Sequence, residues 1–429
     1  MRKPALELDT SVPVVLIWPS IGAIRSLGRL GVPVFCIDPD GTGAATASRY
    51  CSGSFVWDVR DAAPERSLAF LASVAEHVGG KPILLVAEND FGAIFVAEHA
   101  DELARWYRMQ NPPADLGRML SNKEWMFQLC RDHGFATPAA LFPKTRDELV
   151  ALIDEIDFPI LLKGIDTQIL GRRTGRRMAL VRSKDELLAT YDELEDPEAP
   201  NLMLQEYVPG GAETIWMFDG YFDSDSRCLV GYTGRKLRQW PVGTGMTSLG
   251  TCVPNDEVES SIKSFMSALG YRGPIDLGLR YDARDGQYKL LDVNPRVGQT
   301  FRLFTGDNDM DVVRALHLDL TGRPVPAGAY PRGRKWIDEY ADLASSYSQI
   351  RSGELGVGAW LRSFRGIQEG QWLALDDPAP FAAMGRRVAR GVVRRAIAAT
   401  RPSARGVRVR PAVDSQDPVR LREPAVLRD

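Results

Sequence analysis

Gly273-Pro-Ile-Asp276-Leu277 and Lys289-Leu-Leu-Asp292-Val-Asn294-Pro-Arg296 decide how this chain is read. Between them stands the turn sequence Asp282-Ala-Arg-Asp-Gly286, so the two runs are expected to be the arms of a hairpin. Side chains alternate between faces along a strand, which lets Asp276 and Asp292 share one face of the pair. Asn294 lies two residues beyond Asp292 and shares that face, and Arg296 is also in phase. Two carboxylates and an amide oxygen form a hard-oxygen set suited to Mg²⁺ bridging phosphates, with Arg296 in reach of an anion beside it. A plain hairpin with a satisfied Asp–Asn pair has the same spacing.

Upstream, Leu202-Met-Leu-Gln205-Glu206-Tyr207-Val208-Pro-Gly-Gly-Ala-Glu213 is an apolar strand ending in a glutamate and a turn, with a second glutamate seven residues on. Such a strand end can offer backbone groups to an adenine edge, with Glu206 near the amino group and Glu213 accepting from ribose hydroxyls. Acids decorating a surface turn are the plainer alternative. Lys123 opens a helix after Ser121-Asn122, and Lys163 ends the buried strand Pro159-Ile-Leu-Leu-Lys163. An ammonium at the end of a buried strand needs an anionic partner, because unpaired burial is costly.

The N-terminal part alternates differently. Val12-Pro-Val-Val-Leu-Ile-Trp18 reads as a strand buried on both faces; Ile24, Leu27 and Leu30 follow at helical spacing, then Gly31-Val-Pro-Val-Phe-Cys-Ile-Asp38 as a second strand. This is a β-α-β unit. Asp38 stands where dinucleotide-binding folds carry a ribose-binding acid, but the first turn, Pro19-Ser-Ile-Gly-Ala23, lacks the G-x-G-x-x-G pattern, which argues against NAD. A helix over Glu65–His77 and a strand over Pro82–Ala87 repeat the unit and end in Glu88-Asn89-Asp90, acids placed either for a ligand or to cap the next helix. The alternation pauses at Asn111-Pro-Pro113; beyond it helices at 122–133 and 146–156, a strand at 158–163, the basic loop Gly171-Arg-Arg-Thr-Gly-Arg-Arg177 and strand-rich sequence to Asn294 suggest an α+β region.

Composition bounds the alternatives. The chain has 429 residues, 44% hydrophobic and 25% charged, with a net charge of −3, so no overall basic field points to nucleic acid. From Arg386 onward there are 12 Arg against four acids, so this segment carries +8 and the remainder −11. Five scattered cysteines and four histidines offer neither a zinc pattern nor a disulfide framework. No run reaches the roughly 18–20 apolar residues of a membrane span, and a cytoplasmic protein is expected. Phe381 to Ala399 has near-helical apolar spacing with arginines elsewhere around it. Such a basic helix suits docking on the acidic body, or contact with a membrane surface or a partner protein. Residues 400–429 are expected to be disordered.

In order and spacing these segments resemble the ATP-grasp superfamily, in particular the bacterial carboxylate–amine ligases, over roughly residues 12–310. The resemblance rests on Arg25-Ser-Leu-Gly-Arg-Leu-Gly31 with Ser48-Arg-Tyr-Cys51, on Asn122-Lys123, on Phe158-Pro-Ile-Leu-Leu-Lys163, on Gln205-Glu-Tyr-Val-Pro-Gly210 and on Leu291-Asp-Val-Asn-Pro-Arg296. It implies a Rossmann-like pre-ATP-grasp α/β domain over residues 1–112 and a two-lobed α+β ATP-grasp domain over 113–325. A helical C-terminal extension over 326–400 and a tail over 401–429 would follow.

Carried over by position, the resemblance implies that Lys123 and Lys163 contact ATP phosphates, that Glu206, Tyr207 and Val208 line the adenine pocket, and that Glu213 holds the ribose. Asp276, Asp292 and Asn294 would ligate Mg²⁺, with Mn²⁺ as a permitted substitute, and Arg296 would steady an acyl phosphate. Lys236 or Arg238 falls where the family often places another phosphate-binding cation; an exposed basic strand is the alternative. Three departures stand out. The usual metal-binding glutamate before the asparagine is Asp292, the phosphate-covering loop has arginines in place of a dense glycine run, and Pro274 stands near where D-alanine ligases carry an arginine.

The implied reaction is ATP-dependent amide formation from a small carboxylate and an amine through an acyl phosphate, releasing ADP and phosphate. The alternative is a nucleotide-binding regulator or scaffold without turnover. Carboxylation and carbamoyl phosphate synthesis are disfavoured because there is neither a biotin-carrier lysine motif nor a duplicated half. A homodimer is the base-rate expectation.

Overall fold

The computed structural model describes residues 6–60, 62–80 and 82–400, with side chains to residue 391. Strands β1 (Val14–Ile17), β2 (Val34–Asp38), β3 (Cys51–Val56), β4 (Ile83–Ala87) and β5 (Tyr107–Arg108) form a parallel sheet in the order β3-β2-β1-β4-β5. β1 and β4 are buried along their whole length, as their unbroken apolar runs require. Strand order reverses at β1, so the crevice for a ligand opens at the carboxyl ends of β1 and β4. Two residues meet there. Ser20 caps the helix Ile21–Gly28 by accepting from the Ala23 N–H, and its own N–H (3.0 Å) and hydroxyl (2.5 Å) donate to Glu88.

A second sheet is antiparallel in the order β6-β9-β7-β8, from β6 (Ala140–Leu141), β7 (Ile160–Gly164), β8 (Met178–Val181) and β9 (Leu202–Glu206). It has its own core, in which Leu149, Leu187, Tyr191 and Leu194 of two helices pack on Leu162 and Leu204. The third sheet takes β10 (Ile215–Phe222), β11 (Cys228–Trp240), β12 (Met246–Cys252), β13 (Gly273–Asp282), β14 (Gln287–Asn294), β15 (Lys335–Ile337) and β16 (Ile367–Gly370) in the order β14-β13-β10-β11-β12-β15-β16. The basic segment 171–177, expected as a loop, is mostly helix: Thr167–Thr174 is helical, and Gly175 ends it at φ 75°. Only one of its glycines therefore serves a backbone need, since Gly171 sits within the helix.

The extension beyond residue 326 is helical at Glu339–Ser352, Val357–Ser363 and Ala379–Thr400, and in addition supplies β15 and β16 to the large sheet. One apolar core runs from Val14 and Leu16 through Met217 and Tyr221 to Phe301, Val313, Trp336 and Trp372, joining the parallel sheet to the large one. Asp377 fastens the extension to the N-terminal unit. Arg25, 2% exposed, pairs with it at 2.9 Å and also donates to the carbonyls of Gln371, Trp372 and Asp377. Ser48 Oγ (2.7 Å) and the Arg49 N–H (3.0 Å) reach the same carboxylate. The segments 25–31 and 48–51 thus converge on one acid. Gly28 lets them meet, because a Cβ there would lie 2.6 Å from Tyr50 Cβ.

No helix among the described residues is long and apolar enough to cross a membrane. The basic helix begins docked: the Phe381 ring stacks on Tyr340 at 5.3 Å, and the Tyr340 hydroxyl donates to the Phe381 carbonyl. The tail expected to be disordered, 401–429, lies outside the described residues.

Candidate active site

The β13–β14 hairpin sets Asp276 directly opposite Asn294 and Gly278 opposite Asp292, so the two acids and the amide share one face. Asn294 Nδ2 donates to Asp276 Oδ2 at 3.3 Å, and its Oδ1 accepts from Arg296 Nη2 at 3.1 Å. Arg296 also pairs through Nε with Asp90 Oδ1 at 2.7 Å. Of the three polar residues ending β4, Asn89 caps the helix Asp90–Glu98, Glu88 takes Ser20, and Asp90 reaches across to the hairpin. Asp90 Oδ2 also accepts from Gln168 Nε2 at 3.0 Å, so it ties all three parts of the fold together.

Lysines surround this face. Lys123, in the first turn of the helix Lys123–Asp132, is buried and holds Asp292 Oδ1 at 2.5 Å. Lys163, at the end of β7, donates to Gln205 Oε1 at 3.2 Å. Burial, helped by the charge of Lys123 and opposed by Asp292, pushes its ammonium down to about 7. Lys236 of β11 donates to the Gly245 carbonyl at 2.9 Å, and burial brings it down to about 8 although Asp276 and Asp292 favour its charge. Desolvation pushes Asp276 up to about 6 against the pull of Arg296. For Asp292 desolvation is outweighed by Lys123, Lys163 and Arg296, which hold it below the usual carboxylate range. Asp90, Lys123, Thr167, Asp292 and Asn294 line one small cavity between the parallel sheet and the hairpin.

The donor set suits a divalent cation. Asp276, Asp292 and Asn294 offer hard oxygens on one strand pair, and the neighbouring strand adds a further buried acid, Asp219, with no hydrogen-bond partner among the described residues.

The remaining expected residues lie elsewhere on the frame. Glu206, at the end of β9, has a committed carboxylate: it accepts from the Ala139 N–H at 3.0 Å and pairs with Arg284 and Lys289. Val208 is buried, Tyr207 is partly so, and Glu213 accepts from the Gly211 N–H at 3.2 Å in a one-turn helix. Arg280 fixes this turn to β13 by donating to the Gly210 carbonyl and Thr214 Oγ1. Gln205 links the group to the lysines.

Arg238 is set apart. Its guanidinium is 6% exposed and bidentate to Asp342 at 2.7 and 2.8 Å, with Ser363 as a third partner. Register explains the split from Lys236. Lys236 pairs with Gly250 and Arg238 with Leu249, so Leu237 is an extra residue, and the bulge turns Arg238 onto the other face. Replacing Arg238 with alanine leaves Asp342 buried without a counter-charge, and a loss of about 3–5 kcal/mol is expected. Urea unfolding would show it, with nucleotide affinity of the folded protein unchanged.

The sequence expectations include Asp90 only as one of two alternatives and do not include Asp219. A single acid inside Ile215-Trp-Met-Phe-Asp219-Gly-Tyr-Phe222 is the signal that marks it.

No family model matches the chain. It is 24% identical over 325 residues to the D-aspartate ligase of Enterococcus faecium (strain Aus0004), covering 69% of this chain and 76% of that protein. Among solved structures, the L-amino acid ligase from Bacillus licheniformis superposes with a TM-score of 0.55 at 14% identity, covering 73% of this chain and 75% of that one. The biotin carboxylase domain of Hydrogenobacter thermophilus 2-oxoglutarate carboxylase, solved as a dimer with MgADP and bicarbonate, gives 0.56 at 15% identity, covering 76% and 72%. In sequence the chain is similar to the D-aspartate ligase, and it shares its fold with the L-amino acid ligase and the biotin carboxylase domain.

Proposed function

We propose that this enzyme joins a small carboxylate to an amine by way of an acyl phosphate, and that at least one of the two substrates is an amino acid. The observation that carries the reading is the shared face of Asp276, Asp292 and Asn294 with Lys123, Lys163, Lys236 and Arg296 gathered around it. Phosphoryl transfer asks a protein chiefly for positioning and charge neutralisation, and this is what such a cluster offers. The names of the D-aspartate and L-amino acid ligases support the amino-acid substrate.

Lys123 and Lys163 hold the nucleotide phosphates, while Tyr207 and Val208 line the base pocket beside the Glu206 strand end. Glu213 faces the ribose. Glu206 acts here by fixing the strand end through Arg284 and Lys289, so that backbone groups meet the adenine. Asp276, Asp292 and Asn294 hold Mg²⁺, or Mn²⁺ in its place; once bound, the ion neutralises phosphate charge as it builds up. Arg296, oriented by Asp90 and Asn294, steadies the substrate carboxylate during attack on the γ-phosphate and then the acyl phosphate. Lys236 faces the same acids and serves the departing phosphate. Arg238 has a structural role.

Incubation with MgATP and pooled amino acids, small carboxylates and amines, with ADP and phosphate followed, tests the proposal. Release that requires one carboxylate and one amine supports it. MgATP binding without release for any pool contradicts it and favours a nucleotide-binding regulator.

Lys163 gives a pH test. Its folded value of about 7 lies below the ordinary 10.5, so between these values the unfolded chain binds more protons than the folded one. Stability of the nucleotide-free enzyme therefore gains from Lys163 as pH rises through that window. Nucleotide phosphates favour the ammonium form, so near pH ~8.5 binding should take up about one proton. Calorimetry of ATP binding in buffers of different ionisation heat measures the uptake. Lys163→Arg, always charged, should lower it, and an unchanged uptake would assign the proton to another group.

A further inference from the structure

Asp219 lies at the centre of β10, fully buried, and neither carboxylate oxygen has a hydrogen-bond partner among the described residues. Its direct cross-strand neighbour is Asp276. The chain closes over both acids at Gly298, where a Cβ would lie 2.7 Å from Asp276 Cγ and 2.9 Å from Asp219 Oδ2. Only a residue without a side chain leaves the space between these carboxylates open. Nearby charges are already engaged. Arg296 is taken by Asp90 and Asn294, while Asp311, which opposes the charge of Asp219, is held by Arg302 and Ser26. Two adjoining buried acids are costly to charge together: Arg296 and, for Asp276, Lys236 offset the cost through space, but no cation of the chain is hydrogen-bonded to Asp219 among the described contacts.

We propose that Asp219 belongs to the cation site as a positioning residue: it backs Asp276, and the divalent ion held by Asp276, Asp292 and Asn294 is the close counter-charge that Asp219 lacks. This rests on the reading of those three residues as the metal set. Asp219 adds to the site's hold on the ion through its charge and keeps the Asp276 carboxylate turned toward the cavity. The β10–β13 register brings the two acids together, and Gly298 leaves room beside them.

The test uses the full chain and Mn²⁺ as a paramagnetic probe, titrated with and without ADP, alongside thermal melts in the absence and presence of Mg²⁺. Asp219→Asn keeps the shape and removes the ionisable carboxyl. It should weaken Mn²⁺ binding about tenfold or more, raise the melting temperature of the metal-free protein, and shrink the rise that Mg²⁺ brings. A merely structural Asp219 would instead lower the metal-free melting temperature and leave Mn²⁺ affinity unchanged, which would overturn the proposal. Gly298→Ala forces a methyl group between the two acids without changing charge, and should also weaken Mn²⁺ binding; it serves if Asp219→Asn does not fold. Unchanged affinity in the folded variants overturns the role of Asp219 alone. Absence of Mn²⁺ binding by the wild-type chain, even with ADP, overturns the metal assignment on which it stands.

Discussion

Asp292→Asn should fold and lose turnover by about 10³-fold. The amide keeps one oxygen but neither the charge that holds a divalent cation nor the ion pair with Lys123. Two consequences separate this from general damage. Lys123, 7% exposed, is left beside Lys163 without its carboxylate, so nucleotide phosphates should still bind, to a site that has become more positive. The Asp292 side chain is itself 48% exposed but Lys123 is not, so the melting temperature of the nucleotide-free protein should fall and be recovered when nucleotide phosphates bind. Steady-state ADP release against Mg²⁺ concentration, with a melt of the same sample, reads both. A variant that turns over normally at saturating Mg²⁺ would remove Asp292 from the chemistry.

Arg296→Ala has the second largest expected effect, about 10²–10³-fold in kcat, with the KM for ATP nearly unchanged. The guanidinium is 17% exposed, and the carboxylates of Asp90, Asp276 and Asp292 keep it charged against the cost of burial. Its loss also frees Asp90, the contact between the parallel sheet and the hairpin. Asp90→Asn separates the two effects. It weakens that contact but leaves Arg296 held by Asn294 and the Val297 carbonyl, and should cost far less in kcat than Arg296→Ala. Equal losses would mean that Arg296 matters only as a strut.

Much of this was readable from the residues because two periodicities are hard to disguise. The all-buried runs at Val14–Ile17 and Ile83–Ala87 could only be central parallel strands, whereas Asp276 shares a face with Asp292 and Asn294 only because the β13–β14 register shifts between Gly278 and Leu279; regular pairing from the turn would set Asp276 opposite Val293. The same rule failed at Lys236 and Arg238. They are two residues apart and looked equivalent until Leu237 bulged from β11, and nothing in Gly234-Arg-Lys-Leu-Arg-Gln239 announces a bulge. Strands β15 and β16, of three and four residues, are too short to show a period, so the extension over 326–400 is expected from sequence to be helical throughout. Arg172 and Arg173 are good helix formers, and one internal glycine does not stop the helix Thr167–Thr174, although a pair of glycines suggested a loop. The pairing of Arg25 with Asp377 spans 352 residues and is invisible to any local reading. Asp219 is hidden for a similar reason, since its significance comes from Asp276 on another strand.

The central claim is that a carboxylate oxygen attacks the γ-phosphate. With the substrate pair found by ADP release, one component is supplied with its carboxylate labelled in heavy oxygen, and the released phosphate is weighed by mass spectrometry. The acyl phosphate route predicts one labelled oxygen in each phosphate formed. Phosphate released at the same rate without label would contradict it.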